Sequence, residues 1–280
     1  MSDLNVYTTS QINALTPITG DMVVDSDLNA VKLYDGAAWR VFNDDRVIVY
    51  DKAITLDGSS VLNLGNIAAM NSATDFSISL WFKEEANLGS HGMIFSSGEW
   101  QPVAFYLQAY GSQFYLGYGS NQYRYASYTH DTDWHHVVYT HSPSAINLYI
   151  DGNIQTLNSS GITPYTTPST MGDDAMIADM DGSSGYPDTY NLQGKVDEFA
   201  VFSSALTQAN VTALAASRTN HIVNDLALSP SPVNYWRMGE DDAGLADGDS
   251  VAQISSALTG GSAATQADLT KQPVAYSVAN

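Results

Sequence analysis

The stretch Asp133-Trp134-His135-His136-Val137-Val138-Tyr139-Thr140, running on through Ile146-Asn147-Leu148-Tyr149-Ile150-Asp151-Gly152-Asn153, decides the fold. Successive side chains of an extended strand point to opposite faces. Val137 and Tyr139 therefore share one face, and Trp134, His136 and Val138 the other. A short loop containing Pro143 follows, after which Ile146, Leu148 and Ile150 alternate with Asn147 and Tyr149. Asp151-Gly152 supplies the positive backbone dihedrals of a tight hairpin, and Asn153-Ile154-Gln155-Thr156-Leu157 resumes the alternation. The pattern predicts three successive antiparallel strands, a meander at the centre of a β-sandwich.

Moving outward, the same period of two recurs. In Phe76-Ser77-Ile78-Ser79-Leu80-Trp81-Phe82, residues 76, 78, 80 and 82 place apolar groups on one face, with serines at 77 and 79 on the other. Gly92 to Gly98, Phe105 to Tyr110, Gln113 to Tyr118 and Lys195 to Phe202 are further strands, with a turn at Gly111-Ser112. Ile54 and Leu56 lead into the turn Asp57-Gly58-Ser59-Ser60. The one helix signal follows the last of these strands: Leu206, Asn210, Val211, Leu214 and Ala215 share a face, and Thr207 is placed to cap it.

Taken in order, Leu56-Asp57-Gly58, Phe76 to Phe82, Trp134-His135-His136-Val137-Val138, Leu148-Tyr149-Ile150-Asp151-Gly152, Gly194-Lys195-Val196-Asp197-Glu198-Phe199 and Ser204-Ala205-Leu206-Thr207 resemble the laminin-G-like, concanavalin A-like jelly-roll sandwich. The resemblance implies an all-β domain over residues 47–217. Residues 1–46 form a small separate β module: Gly20 to Asp25 is one short strand, and Lys32 to Phe42, with Asp35-Gly36 as an internal turn, a second. That is too little chain to hold a core alone, so it is expected to pack on a neighbour or on copies of itself. Its Gly-Asp strand, Lys32-Leu33-Tyr34-Asp35-Gly36 and Trp39 resemble a module near the ends of bacteriophage tail-fibre and other virion appendage proteins. Residues 218–280 are a C-terminal extension, opened by the linker Leu228-Ser229-Pro230-Ser231-Pro232. It carries Tyr235-Trp236-Arg237-Met238-Gly239-Glu240-Asp241, which resembles a run in phage virion proteins of this type.

Ten Lys and Arg stand against 30 Asp and Glu, a formal net charge of −20. That balance repels phosphate backbones and anionic membranes and argues against nucleic-acid binding. With no cysteine, disulfides and thiolate metal sites are excluded. Met1 to Asn5 lack a basic n-region and an apolar h-region, so no secretory signal is expected. No apolar run has the length of a membrane span.

Four features bear on chemistry. Retaining glycosidases on sandwiches of this kind need two carboxylates about 5 Å apart. Asp197-Glu198 and Glu84-Glu85 are adjacent, so strict alternation sends the members of each pair to opposite faces, and the Glu-x-Asp-x-x-Glu arrangement of the sandwich hydrolases is absent. No catalytic residues are expected. His135 and His136, with His130 and His141 nearby, suggest a metal cluster, but the resemblance implies packing and hydrogen-bonding roles for the Trp-His-His strand. Asp173, Asp174, Asp179, Asp181 and Asp188 crowd one segment with Gly182 and Gly185. Loop oxygens of this kind suit Ca2+, which the resemblance also implies for some members, while a solvated acidic loop has the same composition. Seventeen tyrosines and five tryptophans include Trp100, Tyr123 and Tyr125 near expected loops or strand ends, where sugar rings can stack while neighbouring amides take the hydroxyls. The expectation is a non-enzymatic bacteriophage virion structural protein on a tail fibre or capsid surface. Its partners would be other virion proteins, further copies of itself and host-surface glycans. A polysaccharide-cleaving enzyme on the same sandwich is the alternative, and a bacterial surface adhesin is disfavoured because neither an export signal nor an anchor is evident.

Overall fold

The computed structural model describes residues 5–18, 21–25, 30–34, 39–41, 52–85, 92–97, 105–118, 122–160, 171–173, 175–179, 191–219, 230–239, 242, 246, 248–258, 261–266 and 272–277. The chain divides into two compact units, Met1–Val49 with Asn220–Asp225, and Tyr50–Thr219 with Leu226–Asn280.

In the first unit, β1 (Val6–Tyr7), β2 (Met22–Asp25), β3 (Ala30–Tyr34) and β4 (Trp39–Val41) form one sheet in the order β1-β2-β3-β4. β1 is parallel to β2 and the other pairs are antiparallel. The second strand expected from Lys32 to Phe42 is thus two strands. The one-turn helix α1 (Thr9–Asn13) was not foreseen, although its cap is written in Thr8 and Gln11, which bond each other's backbone amides. Ile12 and Val23 are its buried apolar side chains among the described residues, while Val6 and Ile18 are exposed.

The second unit is the sandwich. One sheet has nine strands in the order β15 (Asn158–Ser160), β11 (Gln122–Ser127), β10 (Gln113–Tyr118), β9 (Phe105–Tyr110), β8 (Gly92–Ser97), β16 (Ala175–Ile177), β6 (Leu62–Gly65), β20 (Ala264–Thr265) and β19 (Gln253–Ile254). The other runs β14 (Asn153–Ile154), β13 (Ile146–Ile150), β12 (Trp134–His141), β7 (Phe76–Glu84), β17 (Gln193–Phe202), β5 (Lys52–Asp57) and β21 (Val274–Ser277), with β18 (Asn234–Trp236) also on β17. The meander of the opening stretch is β12-β13-β14. β7 pairs with β12 over its length, Phe82 facing His135 and Phe76 facing His141.

Alternation sorts the side chains as expected. Phe76, Ile78, Leu80, Phe82, Val137, Tyr139, Leu148 and Ile150 enter the core between the sheets. The outward residues of the same strands are buried as well, because helix α2 (Gln208–Thr219) covers them: Val138, Tyr149, Ala200 and Phe202 pack with Leu206, Val211, Leu214 and Tyr235 in a second cluster. Thr207 caps α2, accepting from the amide of Asn210 at 3.3 Å while Asn210 Oδ1 accepts from the amide of Thr207 at 3.0 Å. Ser77 ties this layer to the sheet, donating to the Ser204 carbonyl at 2.8 Å and accepting from the Leu206 amide at 2.9 Å. The C-terminal segment is built into the sandwich: β18 pairs with β17, β20 with β6 and β21 with β5.

One alternation is broken. The register of β17 against β7 shifts between Asp197 and Ala200, and Glu198 has φ 53°. Val196, Phe199 and Val201 all enter the main core, so the extra residue of this β-bulge turns both Asp197 and Glu198 to the outer face. The expectation that adjacency separates these carboxylates is corrected accordingly. Both are nevertheless buried, and the Tyr235 hydroxyl of β18 donates to Glu198. Among the described residues no helix is long and apolar enough to cross a membrane.

Candidate functional site

The outer face of the nine-stranded sheet is built from sequence alternation in β9, β10 and β11. Phe105, Leu107 and Ala109, Phe114 and Leu116, and Ala126 go to the core. The intervening residues go outward and, by strand register, line up in rungs. Tyr110 faces Gln113, which faces Ser127; Gln108 faces Tyr115, which faces Tyr125, which faces Asn158; and Tyr106 faces Gly117, which faces Tyr123. Side chains directly opposite one another on neighbouring strands touch, and the rings form a contiguous platform. Tyr115 lies 5.5 Å from Tyr123, 5.5 Å from Tyr125 and 5.9 Å from Tyr110, centroid to centroid. Tyr123 and Tyr125 are 6.4 Å apart.

Two features hold the platform in place. A Cβ on Gly117 would come within 2.3 Å of the Tyr106 ring, so the missing side chain lets that ring lie across the strand, where it packs on Met93 beneath Tyr115 and Tyr123. The Tyr115 hydroxyl donates to Gln113 Oε1. Burial, then the neighbouring Tyr123, Tyr125 and Tyr110, push the Tyr115 phenol up from its ordinary pKa, so it is a neutral donor and acceptor at pH 7. Tyr115, Tyr123 and Tyr125 are half-buried and Tyr110 is exposed. No residue on the three rungs carries a formal charge. Half-open aromatic faces bordered by the amides of Gln108, Gln113 and Asn158 suit a flat, neutral, hydroxyl-bearing ligand.

Tyr123 and Tyr125, expected near a strand end, are therefore within β11 and are brought together. Trp100 lies outside the described residues. Tyr110 and Tyr115 belong to the run of aromatics in the sequence but were not expected to contact a ligand, and Gln108, Gln113 and Asn158 were not singled out, although Tyr-x-Gln-x-Tyr at 106–110 and Gln-x-Tyr-x-Gly at 113–117 carry the signal in the positions opposite the apolar ones.

Of the acidic segment, Asp173 and Asp179 are described and stand beyond opposite ends of β16; Asp174, Asp181 and Asp188 lie outside the described residues. Asp173 Oδ1 accepts from the side-chain amides of Asn66 and, at 3.3 Å, Asn71. The Asp179 carbonyl accepts from Ser96 Oγ at 2.5 Å. Among the described residues no group of three or more His, Asp or Glu side chains is placed to hold a metal ion, so they do not assemble the six or more oxygens Ca2+ requires.

The histidines are engaged in the scaffold. His136 is buried, 2.9 Å from Ser79 Oγ and with its ring 5.0 Å from that of Trp81. Burial lowers its pKa to about 3. His135, on the other face, bridges Asp151 at 2.7 Å and Asp131 at 3.0 Å. The hydrogen bond to Asp151 is the main cause that raises its pKa, to about 9. His130 meets the buried Glu84 at 2.7 Å, and His141 stacks on Phe76 at 5.2 Å.

Two antiparallel sheets packed about one core define an all-β sandwich of the concanavalin A-like kind. The model of the Concanavalin A-like lectin/glucanases superfamily matches residues 56–212, more than half of the chain, and the chain belongs to that family. Among solved structures, a Bacteroides ovatus protein with the provisional description of carbohydrate binding protein is 16% identical, with a TM-score of 0.58 over 82% of this chain and 60% of that one. This chain thus spans less than two thirds of that protein. A heptameric SAP-like pentraxin of Limulus polyphemus is 16% identical, with a TM-score of 0.45 over 60% of this chain and 82% of that one. Domain 4 of an extracellular arabinanase of Geobacillus stearothermophilus, solved with arabinotriose, is 22% identical, with a TM-score of 0.46 over 58% and 76%. At these identities the likeness is one of fold. No curated protein sequence matches the chain.

Proposed function

We propose that this protein is a glycan-binding adhesion protein of a bacteriophage particle, acting without a chemical step, with the tyrosine face as its sugar platform. The observation that carries the proposal is the rung Gln108–Tyr115–Tyr125–Asn158, two stacked-on rings flanked by two amides on an uncharged face. The family is one of lectins and glucanases, and the Bacteroides ovatus neighbour's description is consistent with the reading. The absence of a reaction is argued from the carboxylates: Asp197 and Glu198 share a face but are buried beside β18, where no glycosidic bond reaches them. The particle location is argued from residues 20–42 and 235–241, which resemble virion appendage proteins, and from the first unit, whose short length suits assembly with further copies or other virion proteins.

The test is a glycan array probed with the full-length protein. Neutral glycans are expected to be retained, and Tyr125→Ala and Tyr123→Ala are each expected to weaken binding three- to tenfold, as loss of an aromatic contact of about 0.5–1.5 kcal/mol requires. Binding untouched by both variants overturns the platform. Release of sugar from any glycan by the wild type overturns the non-enzymatic reading. An antibody to the protein that fails to label purified particles in electron microscopy overturns the location.

A further inference from the structure

We propose that a second carbohydrate site, independent of the tyrosine platform, lies in the groove between the β13–β14 turn and helix α2, and that it takes a short neutral sugar. The groove is a cavity of about 550 Å3 lined by Trp81, Trp134, Asp151, Asn153, Gln208 and Thr212. That volume is within the usual range of about 300–1,000 Å3 for small-molecule sites. It lies on the seven-strand path opposite the tyrosine face, so nothing in its lining is shared with the platform.

Its aromatic wall follows from register. Trp134 pairs with Lys83 and His136 with Trp81, so the two indoles are diagonal neighbours on adjacent strands, on the outer face. At that separation large rings still reach one another. The Trp81 ring is seated on His136 at 5.0 Å, and Trp134 is half-buried.

The opposite wall is locked before any ligand arrives. Gln208 Nε2 donates to the Gly152 carbonyl at 2.6 Å and to Thr212 Oγ1 at 3.1 Å. Gly152, with φ 78°, brings the hairpin turn so close to α2 that a Cβ there would be 3.3 Å from Ala215 Cβ. A groove whose walls are pinned loses little freedom on binding.

The charge pattern selects the ligand. Asp151 is the one charged side chain of the lining among the described residues. Its two oxygens already accept from the His136 amide at 2.8 Å and from His135 Nδ1 at 2.7 Å. The carboxylate is thereby matched, and among the described residues no Lys or Arg lines the groove, so these residues give neither a free cation nor an anion an uncompensated partner. What the lining offers is the half-buried Trp134 ring beside the edge of the buried Trp81, and the side-chain carbonyl oxygens of Asn153 and Gln208, whose amide nitrogens bond Asp151, Gly152 and Thr212 within the walls, the complement of a hydroxylated ring with an apolar face.

The test uses the full-length protein titrated with lactose, cellobiose and maltose, and with sialyllactose as the anionic control. Binding is read by calorimetry and by tryptophan emission. Four proteins are compared: wild type, Trp134→Ala, Asn153→Ala with Gln208→Ala, and Tyr123→Ala with Tyr125→Ala. At least one neutral disaccharide is expected to bind, to keep its affinity in the double tyrosine variant, and to lose at least tenfold in Trp134→Ala; sialyllactose is expected not to bind. Should Trp134→Ala fail to fold, the Asn153 and Gln208 pair, both exposed, decides with an expected loss of threefold or more. A neutral sugar abolished by the tyrosine variant and untouched by the groove variants overturns the second site and leaves the platform standing. The reverse pattern overturns the platform and leaves the groove. No binding of any neutral disaccharide, or sialyllactose preferred, overturns the groove.

Discussion

His135 and His136 are neighbours whose pKa values are displaced in opposite directions, and this predicts a stability maximum near pH 6.5–7.5. His136 is buried and its folded pKa is lowered to about 3, so the unfolded chain, with an ordinary His pKa of about 6.5, binds the extra proton. Stability from this residue is present above the unfolded value and is lost as pH falls from there toward the folded one. Between pH 7.5 and 5 the loss is about 2 kcal/mol, since each pH unit fully inside the window is worth about 1.4 kcal/mol. His141, whose pKa burial also lowers, adds to the same limb. His135 does the reverse. Its folded pKa is raised to about 9 by the bond to Asp151, so its stabilisation is complete below about pH 6.5 and disappears as pH rises through 9. Its carboxylate partners are 44% and 45% exposed. Solvent screening therefore cuts the alkaline loss between pH 7.5 and 9 to about 1 kcal/mol. The assay is the melting temperature by calorimetry at pH 5.0, 7.5 and 9.0 for wild type, His136→Gln and His135→Gln. At about 2–4 °C per kcal/mol for a chain of this size, His136→Gln is expected to recover about 4–8 °C of the acid decline relative to its own value at pH 7.5. His135→Gln is expected to lose about 2–4 °C of the alkaline decline. An acid limb of full size in His136→Gln, or an alkaline limb of full size in His135→Gln, refutes the assignment.

Three further outcomes are expected. Ser77→Ala orphans the buried Leu206 amide and is expected to cost about 1–3 kcal/mol in a urea melt, whereas an unchanged midpoint places the α2 connection elsewhere. Gly117→Ala drives the Tyr106 ring off its seat, with an expected loss of about 1 kcal/mol and an altered near-ultraviolet tyrosine spectrum; a wild-type spectrum contradicts the packing described. Because no carboxylate lines the tyrosine rungs, chelator is expected to leave glycan affinity on that face within twofold of its value in calcium, and a tenfold loss ties the platform to a metal.

The strands whose hydrophobic period is long were legible before any coordinates. Phe76 to Phe82 and Trp134 to Ile150 spell out β7, β12 and β13, and Thr207 with Asn210 spells out the start of α2. What escaped notice is what periodicity does not carry. β1, β19 and β20 are two residues each, too short for a period to show. The bulge at Glu198 adds one residue to β17 and so inverts the parity on which the reading of Asp197 and Glu198 rested. The acidic segment was visible as composition; the strand Ala175-Met176-Ile177 that runs between Asp173 and Asp179 was not. The tyrosines were recognised by type, and what the sequence does not show is which of them stand side by side. Their meaning lies in cross-strand register, which depends on how β9, β10, β11 and β15 pair and is not a property of any one segment.

The two outer faces of the sandwich are treated differently by the described parts of the chain, and the proposed sites follow that difference. On the sheet that carries β7, β12 and β17, the outward residues Val138, Tyr149, Ala200 and Phe202 are apolar, and α2 with Tyr235 seals them into a second cluster. At its edge, among the described residues, lies the groove beside Trp81 and Trp134. On the other sheet, the outward residues of β9 to β11 are tyrosines and amides. They can be half-exposed without the cost of wetting aliphatic surface, and no described element packs a comparable cluster over them. The C-terminal segment reinforces the asymmetry: β18 and β21 join the sealed sheet, while β19 and β20 extend the aromatic sheet at the end far from the tyrosines. A fragment ending near residue 217 would lack β18 to β21, exposing the paired edges of β5 and β6 and opening the cluster around Tyr235. The extension is therefore part of the scaffold of both sheets, and so of both proposed sugar-binding surfaces.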